Sequence, residues 1–156
     1  MIKVNEVLAD IEPFMKLQVE EYQAALTLRQ DSKSLKIWGD KTLIGQVLLN
    51  LVGNGLQAMQ GNGADHRQLA IEIAPLDEDF IQFSVRDNGV GMEKGQLEAL
   101  FHSRASSKPD HFGIGLILSR SIITSHSGQM RVESEPGVGT SVIFTLRRKS
   151  QRRFRF

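Results

Sequence analysis

Four short stretches of this chain carry side chains and glycines of the kinds that bind ligands. The first, "DNGVGM", offers a carboxylate, Asp87, followed by Asn88, Gly89, Gly91 and Met92. Asp87 can accept hydrogen bonds from an amine donor, and the glycines let backbone come close to a flat ligand. Asp-Asn-Gly is equally a good turn sequence, because Asn and Gly tolerate positive φ. The second, "QVLLNLVGNGLQAM", sets Asn50 and Asn54 one helical turn apart on one face. An unpartnered, half-buried carboxamide costs roughly 1–3 kcal/mol, so two of them on an apolar helix ask for a partner unless their stripe faces water. The third, "HFGIGLILSRSII", places Gly113 and Gly115 around Ile114 and before Leu116, at a helix entrance. Free N–H groups and the positive end of the helix dipole suit phosphate oxygens there. Arg104 and Lys108 just upstream suit a lid over a polyphosphate, although any solvated loop contains such residues. The fourth, "PGVGTSVIF", puts Thr140 at a strand start behind two glycines.

Positioning these residues in one place requires a particular order of elements. Apolar residues at helical spacing predict a first helix over "NEVLADIEPFMKLQVEEY", with Asn5 as N-cap and a kink or break at Pro13. "AALTLRQ" and "LKIWG" read as short strands. A long helix capped by Asp40 runs to about Gln60, and its wheel, at about 100° per residue, buries Leu43, Ile44, Val47, Leu48, Leu49, Leu51, Val52, Leu56 and Met59. Gln46, Asn50, Gly53, Asn54 and Gln57 form the remaining stripe. "QLAIEIAPL" and "DFIQFSVRD" alternate with period two around an acidic turn at residues 77–79, which predicts a hairpin. Residues 88–112 form a long connection with a short helix at "KGQLEALF". A second strong helix and a closing hairpin around "PGVG" come next. Helices interleaved with strand pairs predict an α/β, two-layer sandwich, with a mixed sheet of about five strands covered on one face by about three helices.

Composition narrows the function classes. The 156 residues suit a single domain, here taken as 1–148. Without Cys there is no thiolate nucleophile, disulfide or Cys-based zinc site. No apolar run is long enough for a bilayer and no signal-peptide pattern opens the chain, so the expectation is a cytoplasmic domain, which includes the cytoplasmic part of a membrane-bound sensor. The net charge of +1 hides six Lys or Arg among the last ten residues, so a basic tail, 149–156, closes an otherwise mildly acidic domain with no case for nucleic acid as partner. His66, His102, His111 and His126 lack metal-ligand spacing and read as surface or loop histidines.

Taken together and in this order, the stretches resemble the catalytic and ATP-binding domain of sensor histidine kinases, within the superfamily that includes gyrase, the Hsp90 chaperone and the mismatch-repair ATPases. The likeness covers nearly the whole chain. "QVLLNLVGNGLQAM" resembles the family's N box, "DNGVGM" its first glycine box, "LF" and the segment after it the F box, "GIGL" the second glycine box and "GVGTSVIFTL" the last. It implies the Bergerat-type ATP-binding fold, ATP and Mg²⁺ as cofactors, and transfer of the γ-phosphoryl group to a histidine on a dimerisation domain, with a response regulator downstream. Asn54 would coordinate the Mg²⁺ that bridges the ATP phosphates, with Asn50 lining the metal or phosphate region beside it. Asp87 would bind the adenine amino group with support from Thr140. Gly89, Gly91 and Met92 would shape the purine pocket, and Lys108, Gly113, Ile114, Gly115 and Leu116 would meet the phosphates. "LQAM" and "SRSII" most resemble the nitrogen-, oxygen- and dicarboxylate-sensing kinases.

Several residues depart from the family pattern. Hydrolysing members usually carry Glu where Asn50 stands, and an amide cannot remove a proton from water, so transfer to an external histidine is favoured over hydrolysis. None of the four histidines has the phosphoacceptor signature, so the acceptor lies elsewhere. Arg104 and Ala105 replace the usual aromatic pair of the F box, His111 stands where Gly is common, Gly55 where Ala is typical, and Gln57 where many relatives have Lys. The alternative reading is a degenerate nucleotide-binding or interaction module without transfer.

Overall fold

A computed structural model of the chain describes residues 1–101 and 112–148, with the backbone alone described for 112–114. The predicted alternation produces the strands that carry the site. β4 (Gln68–Pro75) and β5 (Phe80–Asp87) form the antiparallel hairpin, with Leu69, Ile71, Ile73, Ile81, Phe83 and Val85 all buried on one face. β6 (Met130–Glu135) and β7 (Gly139–Arg147) form the closing hairpin, and β7 also pairs antiparallel with β5. β2 (Ala25–Gln30) adds parallel to β4, giving a mixed five-stranded sheet in the order β2-β4-β5-β7-β6. The second short strand predicted, β3 (Lys36–Ile37), lies outside this sheet and pairs with β1 (Ile2–Lys3) at the chain start.

Three helices supply the second layer. α1 (Val4–Glu21), α2 (Lys41–Ala58) and α4 (Phe112–Ser125) bury their apolar residues in one core with the inner face of the sheet. At its centre the Phe83 and Phe144 rings stack with centroids 4.8 Å apart. The fold class expected from the sequence is the one observed. A short α3 (Lys94–Ala99) interrupts the long connection and is started by a reciprocal capping box between Glu93 and Gln96.

At four positions the structure corrects or refines the local expectations. Asn5 is not the cap of α1; the helix begins at Val4 after Lys3, and the Asn5 side chain instead donates to the Lys33 carbonyl at 3.0 Å. Pro13 does not divide α1, which stays continuous because its apolar stripe, Val4, Val7, Leu8, Ile11 and Met15, is held against the core. Leu43 is exposed rather than buried, since it sits in the first turn of α2 before that helix passes under its neighbours. His126 is half-buried and structural: Nδ1 donates to the Ile122 carbonyl at 2.7 Å and Nε2 accepts from the Asp40 amide at 3.0 Å. It joins the end of α4 to the start of α2. His66 is exposed as expected, and His102 and His111 lie outside the described residues.

Asp40 behaves as the sequence predicts, its Oδ1 accepting from the Leu43 amide at 2.9 Å. Asp40→Ala therefore removes one cap and lowers stability by about 1 kcal/mol, read as a lower urea midpoint at unchanged slope.

Candidate nucleotide site

β5 ends at Asp87 in the middle of the sheet, and α2 crosses directly above it. The crossing is close because residue 55 is Gly: a Cβ there would lie 2.8 Å from Leu69 Cδ1 and 3.3 Å from Asp87 Cβ. Gly55 thus gives up helix propensity for contact between α2 and the end of β5.

Asp87 is buried, with 7% of its surface exposed. Its Oδ1 accepts from the Gly89 amide at 2.9 Å and the Thr140 amide at 3.3 Å. Its Oδ2 faces α2 at Gly55 and takes part in neither bond. Burial pushes the carboxyl up to about 6, and the two backbone hydrogen bonds only partly offset that rise. Thr140 is buried beside it, its hydroxyl 2.7 Å from Ser134 Oγ. Ser134 also accepts from the Met92 amide at 2.8 Å, which ties the loop after β5 to the β6-β7 hairpin. Sequence reading missed Ser134. The signal was available in the hairpin register, which sets Ser134 opposite Thr140.

The two loop glycines also lie close against protein backbone. Neither Asn88 nor Gly89 adopts a positive φ. A Cβ at Gly89 would strike the Ala58 carbonyl at the end of α2, and one at Gly91, where φ is +69°, would strike the Glu135 carbonyl. Both glycines bring the loop against protein backbone and so fix the wall of the site. Asn88 completes the anchoring, accepting from the Gln68 amide and donating to the His66 carbonyl.

Asn54 is buried at 8% exposure, and its Nδ2 has no partner among the described residues. It lines a narrow cleft with Asp87, Thr140, Met92, Leu100 and Leu116. The residues singled out on four separate stretches therefore meet between α2, β5, β7 and α4. The cleft holds about 20 Å³, room for about one or two waters, with Met92 and Leu100 among its lining. A wider groove of about 670 Å³ lies on the uncovered face of the sheet over Ala70, Arg86 and Ser141. It shares Asp87 and Thr140 but reaches no residue of α2, so it contains neither amide. Asn50 sits one turn before Asn54 and its Nδ2 donates to Ser119 Oγ at 2.9 Å. Gly113, Ile114 and Gly115 fall in the first turn of α4 as expected, and Leu116 is buried. Phe101, in the F-box stretch, lies under the Arg120 guanidinium at 4.4 Å, which fixes the near end of the connection to α4. Lys108, Arg104 and Ala105 lie outside the described residues.

Residues 39–150 match the family described as histidine kinase-, DNA gyrase B- and HSP90-like ATPase. This chain belongs to that family. Among similar proteins, the sensor protein TdiS of Thauera aromatica is 35% identical over 145 residues, 92% of this chain and 26% of its own length. The sensor protein FixL of Bradyrhizobium diazoefficiens is 34% identical over 126 residues, 81% of this chain and 25% of its own. The chain thus spans about a quarter of these relatives. The catalytic domain of the histidine kinase ThkA superposes with a TM-score of 0.80 at 24% identity, covering 94% of this chain and 93% of that one. ThkA in complex with the response regulator protein TrrA superposes with a TM-score of 0.78 at 22% identity, covering 97% and 42%. For this member of the histidine kinase-like ATPases, the family implies ATP as the nucleotide. No helix among the described residues is long and apolar enough to cross a membrane.

Proposed function

We propose that residues 1–148 are the catalytic domain of a sensor histidine kinase, that 149–156 form a basic tail, and that the cleft binds Mg-ATP. The observation that carries this reading is the shared cleft, with a buried carboxylate on the sheet side and, on the helix side, a buried carboxamide whose Nδ2 has no partner among the described residues. Asp87 Oδ2 accepts from the adenine amino group, and Thr140 and Gly89 hold the carboxylate in place through Oδ1. Met92 and Leu100 move outward to admit the purine. The phosphates then run along α2 toward the first turn of α4, where Gly113 and Gly115 leave backbone amides accessible.

The residues present suit Mg²⁺. Among the described residues no three acidic or histidine side chains cluster as a cage. Mg²⁺ does not need one, because it commonly keeps several waters and takes few protein oxygens beside substrate phosphates. Asn54 would supply one such oxygen, and Asn50 stands next to it. Bound there, the ion would neutralise charge on the transferring phosphoryl group. Asn50 has no basicity to activate water, so the productive acceptor is a histidine brought by a dimerisation domain, whose nitrogen forms the bond to phosphorus as ADP departs. We place this domain in the cytoplasm, with a response regulator as the next acceptor and no nucleic-acid partner.

The test is mixing the chain with γ-labelled ATP and the histidine-bearing helical hairpins of similar sensor proteins. Acid-labile label appears on the hairpin and none on this chain alone. Nucleotide binding without label on any hairpin would instead support the degenerate module, and fast steady ATP turnover would support hydrolysis.

A further inference from the structure

Ser119 is a buried side chain at the α2-α4 crossing that the sequence did not single out. Only 3% of it is exposed, and it lies one turn beyond Gly115 on the same face of α4. The Asn50 carboxamide lies against both residues. Asn50 Nδ2 donates to Ser119 Oγ at 2.9 Å, while Oδ1 is its atom nearest the Gly115 position, 2.6 Å from an added Cβ against 3.0 Å for Nδ2. A carboxamide presents a donor at one end and an acceptor at the other, and a half-turn about its last torsion exchanges them. Occupying Nδ2 with Ser119 leaves the oxygen as the end that faces the entrance of α4.

We propose that Ser119 is a positioning residue for nucleotide chemistry: its hydroxyl holds the Asn50 amide with the oxygen toward the phosphate end of the cleft, so that Asn50 serves the hydrated cation rather than the phosphate. This rests on the reading of the cleft as a Mg-ATP site. The choice of end has chemical consequences. An amide nitrogen turned toward the phosphates would donate to an anionic oxygen and work with or without metal. An amide oxygen repels phosphate oxygens but accepts from metal-bound water or binds the ion itself. Gly115 is part of the same arrangement, since any side chain at that position would displace Oδ1. In the sequence Ser119 reads as one more polar residue on a helix; only the crossing of α4 over α2 aims it at Asn50.

The experiment measures ADP binding to the whole chain by calorimetry, with and without Mg²⁺. In wild type the ion tightens binding. Ser119→Ala keeps helix propensity and leaves affinity without Mg²⁺ unchanged, while the Mg²⁺-dependent gain falls about fivefold, the effect of one lost hydrogen bond. Ser119→Thr, which keeps the hydroxyl, restores the gain. In an Asn50→Ala background the Ser119→Ala change has no further effect on the gain, because the group it orients is absent. A spectroscopic readout needs no nucleotide: the Asn50 side-chain NH₂ resonances, identified by their loss in Asn50→Ala, shift in Ser119→Ala and return in Ser119→Thr. If Ser119→Ala lowers affinity equally with and without Mg²⁺, or if its effect persists in Asn50→Ala, Ser119 only packs and the proposal fails. If wild type binds no adenine nucleotide at all, the reading of the cleft fails first, and the NH₂ shifts alone decide whether Ser119 orients Asn50.

Discussion

Asp87→Asn abolishes adenine-nucleotide binding and leaves the fold intact. The two effects separate because the two carboxylate oxygens do different things. Oδ1 accepts from Gly89 and Thr140, and an Asn oxygen can keep both bonds. Oδ2, which faces α2 at Gly55, becomes an NH₂ group that meets the adenine amino group donor to donor. Losing a hydrogen bond to a charged acceptor costs roughly 1.5–3 kcal/mol, and opposing donors add to it, so Mg-ADP affinity falls at least about 100-fold by calorimetry. Unchanged affinity would refute the adenine contact.

Stability moves the other way. The folded carboxyl titrates at about 6, against 3.8 for the ordinary group. Between those values the folded chain keeps a proton that the unfolded chain has released. The contribution of Asp87 to stability is therefore full below about 3.8 and is lost as pH rises through about 6, a total of about 3 kcal/mol. Asp87→Asn removes this decline, so at pH 7 the variant melts no lower than wild type, and the gap between them widens from pH 4 to pH 7. Because the acceptor must be ionised, wild-type nucleotide affinity also weakens below about pH 6. A variant that is destabilised at pH 7 would show that the carboxylate stabilises the fold there.

Gly139→Ala cripples both stability and binding. Gly139 has φ +143°, a region that side chains rarely enter, and an added Cβ would collide with the Asp87 carbonyl and lie 3.0 Å from Asn88 Cα. Both neighbours are backbone and cannot rotate away. β7 would have to leave β5 where Thr140 pairs with Asp87, taking the Thr140 amide from Asp87 Oδ1. Strain and displacement together cost about 3 kcal/mol or more. The urea midpoint drops accordingly, and Mg-ADP binding to the folded fraction is lost with it. Gly137→Ala is the control: its φ is +76°, but nothing lies within 4 Å of the added Cβ, so it loses only about 1 kcal/mol and binds normally. Equal behaviour of the two variants would mean that β7 does not depend on this approach.

Much of this was legible beforehand because it is written in local patterns. The period-two runs of β4 and β5, the Asp40 cap and the apolar wheel of α2 each arise from residues within a few positions of one another. Asn50 and Asn54 stood out because an amide on an otherwise apolar helix is costly without a use, Asp87 because its Asp-Asn-Gly stretch opens a long glycine-bearing connection, and Thr140 through the family resemblance. Ser134, Ser119 and Gly55 were not legible in that way. Each takes its role from a residue on another element: Thr140 for Ser134, Asn50 for Ser119, Asp87 for Gly55.

The chain's own order of residues sufficed to point to most of its elements, its family and the chemical types of the candidate binding groups. Which oxygen of Asp87 takes the two amide bonds, which end of Asn50 bonds Ser119, why Gly89 and Gly91 must lack side chains and how little room the cleft has came from the packed fold alone. The physical reason is range: propensity and periodicity act between neighbours, whereas desolvation, hydrogen-bond partnership and steric exclusion depend on whatever the fold brings alongside.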